Sequence, residues 1–466
     1  MTTTTPKPPI AFIGLGAMGF GMATHLVKQG YPVTGFDVYQ PTLDRFQSAG
    51  GQVASSPAAA VSDKPYCICM VATAQQAESV LLSGPNPAIP ALPQGAVLLV
   101  CSTVPADWIK SLERKLHELG RGDILLVDAP VSGGAARAAE GTLTIMAGFS
   151  DSSADSLAKA RPILEELADP AKLYIVRSGF GGRAAAEAGI GAGSNMKMAH
   201  QVLAAVQILA ASEAMGFAHH LGLDLATTQK AVLDSPAWNW MFEHRTPRML
   251  TNFQPVASAV NIIIKDTNII LSEARRGGFA VPMTEVAGEA YRSAVEKGYG
   301  PDDDSSLLRL YTEQPASGQP PADKSDEEKL GLVIEVLKAI NLCAAAEALW
   351  VAKSVGLDLA QVLDLCVNAA GSSTMLKEYG PEYIRILKTG LGDAIRPGRA
   401  DAPSSEGGSV MDVADKLETA LEEARRLGIT LFLAERAFRI LQATSLRDGF
   451  NNLPIGALIT QWAAGI

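Results

Sequence analysis

The chain opens with a feature that leaves few folds available. An apolar run, Pro9-Ile10-Ala11-Phe12-Ile13, passes directly into Gly14-Leu15-Gly16-Ala17-Met18-Gly19 and then into a helical stretch ending near Gly30. Strand, tight glycine turn and helix in that order form the entry to a dinucleotide-binding α/β sheet. Gly14 permits the turn, Gly16 lets a pyrophosphate approach the backbone, and Gly19 lets helix and strand pack closely. The helix start, from Leu15 through Ala17 and Met18, offers free N–H groups and a partial positive charge to phosphates. Asp37 stands 18 residues past Gly19, at the end of the next strand-like run. A carboxylate there binds ribose hydroxyls and repels a 2′-phosphate, favouring NAD over NADP. Arg45, eight residues further on, would soften that preference.

Strand-like runs at 9–13, 32–37, 66–71, 96–100, 123–127 and 142–147 have helical stretches such as 104–119 and 151–167 between them. Apolar strands with helical crossovers predict a parallel sheet covered on both faces. From about residue 183 the strand signals stop, and 3.6-period patterns rich in Ala, Leu and Met run to residue 312. A linker rich in Pro, Gly and charge follows at 315–328, and the rest reads as helical. That last part repeats earlier material. EAMGFAHHLGLDLA (213–226) returns as EALWVAKSVGLDLA (347–360), 134 residues later. LSEARRGGFAVPM (271–283) returns as LEEARRLGITLFL (421–433), 150 later, the difference falling in a Gly/Pro/Ser-rich insert around 387–409. The predicted fold is an α/β Rossmann-type domain followed by two tandem all-α domains. The expected boundaries are a disordered tail 1–8, an NAD-binding domain 9–190, an all-α domain 191–314, a linker 315–328 and a second, catalytically degenerate copy 329–466.

Composition narrows the function. With 39 Lys and Arg against 49 Asp and Glu, the net charge is -10, which argues against nucleic acid or an anionic membrane as partner. No apolar run was expected to reach the ~20 residues that cross a bilayer, and the polar start MTTTTPKPP lacks a secretory signal. Five cysteines, Cys67, Cys69, Cys101, Cys343 and Cys366, sit mostly in apolar segments, as reduced buried thiols do. No metal site is expected, since the Cys67/Cys69 pair has no second pair to complete it. A cytoplasmic protein is the expectation.

Two further motifs carry chemistry. Asp128-Ala129-Pro130-Val131-Ser132-Gly133-Gly134 follows an apolar strand, where open α/β sheets bind ligands. The Ser132 hydroxyl and the N–H groups freed by Gly133 and Gly134 could hold a carboxylate, although such a turn is equally at home as pure structure. Gly191-Ala192-Gly193-Ser194-Asn195-Met196-Lys197 enters a long helix on which Lys197, His200 and Gln201 share one face. A lysine among Met and Ala has its pKa lowered by burial, as a general acid/base requires, unless its stem snorkels to solvent. His219-His220 and Trp238 read as structural, Trp240 as packing or a pocket wall, and Asp302-Asp303-Asp304 as a helix start.

GLGAMG (14–19), DAPVSGG (128–134) and GAGSNMK (191–197), in this order, resemble the β-hydroxyacid dehydrogenases. That superfamily includes 3-hydroxyisobutyrate dehydrogenase, tartronate semialdehyde reductase and 6-phosphogluconate dehydrogenase. The likeness covers residues 8–312. It implies NAD(P)-dependent hydride transfer at the hydroxyl carbon of a small hydroxy acid. On the matching positions Lys197 would be the acid/base and Ser132, Gly133 and Gly134 would bind the carboxylate. Val71, Ala72 and Thr103 would line the nicotinamide, with Lys265 of IIIKDTN as the second lysine beside it. The family usually has Asn four residues after the catalytic lysine; here it is Gln201. KMAHQVLAA, WMFEHR (240–245) and GYGPDDDS (298–305) look most like the L-threonate dehydrogenase branch, which shares the His-Gln pair. His200 and Gln201 would then bind hydroxyls of a four-carbon sugar acid. The alternatives are a 3-hydroxyisobutyrate or a tartronate or succinic semialdehyde-type reductase, and a non-catalytic NAD-binding regulator. Imine reductases of similar fold lack the lysine.

The repeat places Gly331 opposite Lys197, Glu335 opposite Gln201 and Asp415-Lys416 opposite Lys265-Asp266. The second copy therefore has no active site of its own. As in the tandem helical repeat of 6-phosphogluconate dehydrogenase, it would supply within one chain the packing that relatives obtain by dimerising. A monomer with an internal pseudo-dimer or a homodimer is expected.

Overall fold

Strands that are apolar along their whole length must be covered on both faces, and the first part of the chain meets that demand. The computed structural model describes residues 6–150, 154–177, 189–390, 408–446 and 453–463 and divides into two units, 1–197 and 198–466. Residues 1–5 of the expected tail and 391–407 of the expected insert lie outside the described residues. The first unit runs β1 (Ile10–Ile13), α1 (Ala17–Lys28), β2 (Val33–Phe36), α2 (Gln40–Ser48), β3 (Gln52–Val53), α3 (Pro57–Val61), β4 (Tyr66–Cys69), α4 (Ala74–Glu78), β5 (Val97–Val100), α5 (Ala106–Glu118), β6 (Leu125–Asp128), β7 (Val131–Ser132), α6 (Gly134–Glu140), β8 (Leu143–Phe149), α7 (Ala154–Leu167) and β9 (Ala168–Ile175). The sheet order is β3-β2-β1-β4-β5-β6-β8-β7, with β9 beside β8. Alternate residues face opposite cores. Ile10 and Phe12 pack on one side with Leu99 and Val127, Ala11 and Ile13 on the other with Leu98 and Leu126. All five cysteines are buried and none forms a disulfide.

The strands from β3 through β6 are parallel, as the sequence pattern predicts, but β8 runs antiparallel to both β6 and β7. The reason is length. A parallel return needs a crossover of roughly a dozen residues or more, whereas only the 7-residue α6, stopped by left-handed Gly141, separates β7 from β8. The sequence reading also missed β3, β7 and β9. Two are two residues long, and β9 is half-exposed and carries Asp169 and Lys172.

The second unit is helical: α8 (Ala192–His220, whose first turn lies in the first unit), α9 (Leu225–Leu233), α10 (Trp240–Met249), α11 (Val260–Gly277), α12 (Pro282–Glu296), α13 (Arg309–Thr312), α14 (Asp326–Ser354), α15 (Leu359–Asn368), α16 (Thr374–Thr389), α17 (Val410–Leu427) and α18 (Phe432–Ser445). Helices α8 and α14 both have 29 residues. N-caps Asp224 and Asp358 start α9 and α15, and α10 and α16 each hold an internal proline, Pro247 and Pro381. Left-handed Gly278 and Gly428 end α11 and α17. Helix α8 is long and apolar enough to cross a membrane, contrary to the reading from composition, but 94% of its apolar window is buried inside the chain. It is a core helix by placement.

Hydrogen bonds tie the two helical halves together reciprocally. Glu213 on α8 accepts from the N–H groups of Leu433 (3.0 Å) and Ala434 (2.8 Å) at the start of α18 and from the Tyr311 hydroxyl (2.8 Å). Glu347 on α14, 134 residues later, accepts from the N–H groups of Met283 and Thr284 at the start of α12 (both 2.8 Å), the Thr284 hydroxyl (2.7 Å) and the Trp462 indole (3.1 Å). Gln207 donates to the Gly371 carbonyl (3.3 Å), and its counterpart Asn341 donates to that of Ala237 (3.1 Å). At the centre Asn239 and Ser373 form an antiparallel bridge, flanked by Trp240 N–H to Ser372 O and Thr374 N–H to Trp238 O. These bonds interchange under a pseudo-twofold operation.

The connecting segment is not a free tether. Ser317 and Gly318 donate to the Leu427 carbonyl, and Gln314 bonds Thr430 in both directions. A capping box of Ser325 and Glu328 opens α14.

Burial pushes both Glu213 and Glu347 up to about 7, the hydrogen bonds they accept opposing it. A folded-state pKa above the unfolded one adds stability that is complete below the unfolded value of 4.5 and is lost as pH rises through about 7. The urea midpoint of the wild type should therefore fall between pH 4.5 and 7 relative to that of Glu213→Gln/Glu347→Gln. At about 1.4 kcal/mol per pKa unit the difference is on the order of a few kcal/mol per carboxylate. Parallel pH profiles for the two proteins would contradict this.

Candidate functional site

In the first unit the glycine turn has the shape a pyrophosphate needs. Gly14 adopts φ +95°, and a Cβ there would lie 2.3 Å from the Met70 carbonyl oxygen; one on Gly19 would lie 2.0 Å from that of Gly14. At Gly16 nothing stands within 4 Å of a Cβ position. Gly16 caps α1 without a side-chain hydrogen bond, and the first turn carries no acidic residue, so its N–H groups and dipole face an open approach. Asp37 accepts from Leu15 N–H (2.7 Å) on one oxygen and Tyr39 N–H (2.9 Å) on the other. It thus anchors the turn to the end of β2, and each oxygen keeps lone-pair capacity for a ribose hydroxyl. Arg45 stacks over Phe20, 4.4 Å from the ring centroid. The residues present fit a dinucleotide.

Past β4, Val71 donates its N–H to the Ser102 hydroxyl and Ala72 donates to Gln76; Thr103 is half-buried just after β5. Ser132 is half-buried at the end of β7, and Gly133 and Gly134, both exposed, have φ of +141° and +74°. Those dihedrals belong to glycine and turn the backbone outward.

The same strand end that launches this turn also seats the lysine helix. Asp128, fully buried at the end of β6, accepts from Ser194 N–H and Ser194 Oγ, each at 2.7 Å. Burial pushes its carboxyl up to about 6 against those bonds and against the Lys110 charge. A Cβ on Gly193 would lie 2.3 Å from the Asp128 carbonyl oxygen and 2.4 Å from that of Met146. Lys197, one turn further, is 6% exposed. Sequence reasoning passed over Asp128 as a support, although it heads the motif that had been singled out.

In the second unit His200 and Gln201 are buried on the next turn of α8. Gln201 Nε2 bonds the Asp266 carboxylate, whose other oxygen pairs with Lys265 Nζ at 2.9 Å. Asp266 thereby joins two residues that the sequence had assigned separately to substrate and cofactor. It was absent from the predicted site; its place beside Lys265 was the available signal. Trp240 stacks on His244, centroids 4.5 Å apart, and His220 bonds the Tyr311 carbonyl. Asp303 caps the short helix at Asp304–Leu308 and pairs with Arg248, and Asp304 pairs with Arg245 at 2.8 Å.

Residues 9–178 match the family model of the NAD-binding domain of 6-phosphogluconate dehydrogenase. The model named for NAD-binding of NADP-dependent 3-hydroxyisobutyrate dehydrogenase matches residues 191–311 and again 329–452. An L-threonate dehydrogenase of Cupriavidus necator is 37% identical over 65% of this chain and 95% of its own length. A solved 3-hydroxyisobutyrate dehydrogenase of Salmonella typhimurium, 28% identical, aligns with 66% of this chain and all of its own at a TM-score of 0.58. The 6-phosphogluconate dehydrogenase of Plasmodium falciparum, only 15% identical, shares the fold across 94% of this chain and 93% of its own, TM-score 0.66. With its glycine turn, lysine helix and both family models in place, the chain belongs to the 3-hydroxyisobutyrate dehydrogenase-like β-hydroxyacid dehydrogenases and is an NAD-dependent hydroxyacid dehydrogenase.

Proposed function

We propose that the substrate is a four-carbon sugar acid such as L-threonate and that Lys197 is the general acid/base. The observation that carries this reading is a buried lysine one turn into a helix held by Asp128, with His200 and Gln201 on the turn that follows. The relative named for L-threonate supports the substrate class. Bound NAD would supply the hydride acceptor. The neutral Lys197 amine takes the hydroxyl proton in oxidation and returns it to the alkoxide in reduction. Ser132, Gly133 and Gly134 hold the carboxylate, while His200 and Gln201 take the remaining hydroxyls. Gly14 through Gly19 and Asp37 bind the dinucleotide; Val71, Ala72, Thr103 and Lys265 flank the nicotinamide.

General acid/base work contributes ~10²–10⁴-fold, so Lys197→Ala should lose about that much kcat while NADH binding stays unchanged. Retained kcat would refute the assignment. In a panel of hydroxy acids followed by NADH absorbance, L-threonate should give the highest kcat/KM; a higher value for 3-hydroxyisobutyrate would move the reading to that substrate. Asp37→Ala removes a charge-assisted bond to the turn and the carboxylate facing the ribose. It should raise KM for NAD by on the order of tenfold and narrow the preference over NADP. An unchanged cofactor ratio would count against Asp37 as the selector.

We further infer that residues 329–466 are a degenerate copy of 191–314 and act as a built-in partner, so that the chain works as a monomer with an internal pseudo-dimer. The interchanging bonds of Glu213 and Glu347 support this. Truncation after Gln314 would strip Glu213 of the Leu433 and Ala434 donors, and the product should aggregate or form a new dimer. A truncated chain that stays monomeric and equally stable would overturn it.

A further inference from the structure

The turn between α15 and α16 belongs to the half without a lysine, yet it packs on the face of α8 that carries His200. The Gly371 carbonyl accepts from Gln207. A Cβ at Gly371 would lie 2.8 Å from Leu203 Cδ1, 3.2 Å from Leu203 Cβ and 3.4 Å from His200 Cδ2. Gly371 has no positive φ, so any residue could adopt its backbone; glycine is needed there for room. The pseudo-symmetric turn makes the comparison. Its equivalent of Gly371 is Ala237, whose carbonyl accepts from Asn341, and the residue of α14 that corresponds to His200 is Ile334. Glycine thus stands where the helix carries the histidine, and alanine where the helix carries an isoleucine.

We propose that the Ala369–Ser373 turn of the second helical half shapes substrate specificity in the first, with Gly371 as a positioning residue that sets the His200 ring. The half that has lost its lysine then still acts on the reaction, through the place it leaves for one side chain. This rests on the reading that His200 meets the substrate. A methyl group at 371 must displace Leu203 or the His200 ring, since contacts below about 3.4 Å are rare in packed interiors. A displaced ring weakens a hydroxyl contact made in ground and transition states alike, which raises KM and spares kcat.

The test uses the full chain and the panel acid of highest kcat/KM. Gly371→Ala should raise KM for that acid about tenfold, with kcat within about twofold and NADH affinity unchanged. In a His200→Ala background the same substitution should add nothing to KM, because the two residues act in series. The mirror substitution Ala237→Gly should leave KM as in the wild type. An unchanged KM in Gly371→Ala, an equal rise in both backgrounds, or a joint loss of kcat and NADH binding would each overturn the proposal. If Gly371→Ala does not fold, Leu203→Ala/Gly371→Ala removes the tightest contact, keeps the one to His200 and carries the same expectations relative to Leu203→Ala. His200→Ala separates the two levels of inference. If it leaves KM unchanged, the substrate role of His200 fails; if it raises KM while Gly371→Ala does not, only the role of the turn fails.

Discussion

Two carboxylates without access to solvent govern the helical unit. Burying a charge is costly unless donors surround it, and each of these glutamates meets the start of a helix from the opposite half. Helix starts provide free N–H groups and a favourable dipole together. Glu213 takes two such groups and a tyrosine hydroxyl; Glu347 takes two, a threonine hydroxyl and an indole. Apolar contacts between Ala- and Leu-rich helices tolerate sliding, because one methyl resembles another. A buried carboxylate does not, since a shift of one residue strands it without donors. The register of α8 and α14 against α18 and α12 therefore rests on these two side chains, and with it the position of His200, Gln201 and the 369–373 turn.

In the first unit one carboxylate has a comparable office. Asp128 ends β6, continues into the Ser132-Gly133-Gly134 turn and grips the first turn of α8 through Ser194. The chain that presents glycine N–H groups and the helix that presents the lysine thus start from one buried atom group. Gly193 has to be glycine for this, because the carbonyls of Asp128 and Met146 occupy the space of any side chain. Precision at the site derives from a strand end, the most rigid place available.

Much of this was legible in the chain. The glycine spacing, Asp37 and the apolar runs located β1, α1 and β2, since they depend on neighbours in sequence. The repeat spelled EAMG and EALW at the same register, so both glutamates stood in plain view. Their role did not, because the donors to Glu213 lie 220 and 221 residues away and sequence says nothing of distant backbone N–H groups. The antiparallel turn at β8 was hidden for another reason: buried parallel and antiparallel strands are equally apolar, and only the shortness of α6 betrays the reversal. Asp266 sat beside a lysine already chosen, but its partner Gln201 is 65 residues away. Local pattern reveals elements and their caps, whereas a site assembled by tertiary contact stays dark.

A homodimer spells every interface residue twice, so a mutation that suits one side is imposed on the other. Joining both halves of the pseudo-dyad in a single reading frame removes that bond. Position 371 can lose its side chain while position 237 keeps one, and Ile334 can occupy the place that His200 holds opposite. The bridge at Asn239 and Ser373 preserves the old symmetry in its backbone while its side chains have already diverged. Evolution can therefore tune this enzyme one face at a time, a freedom that a dimer of identical subunits never has.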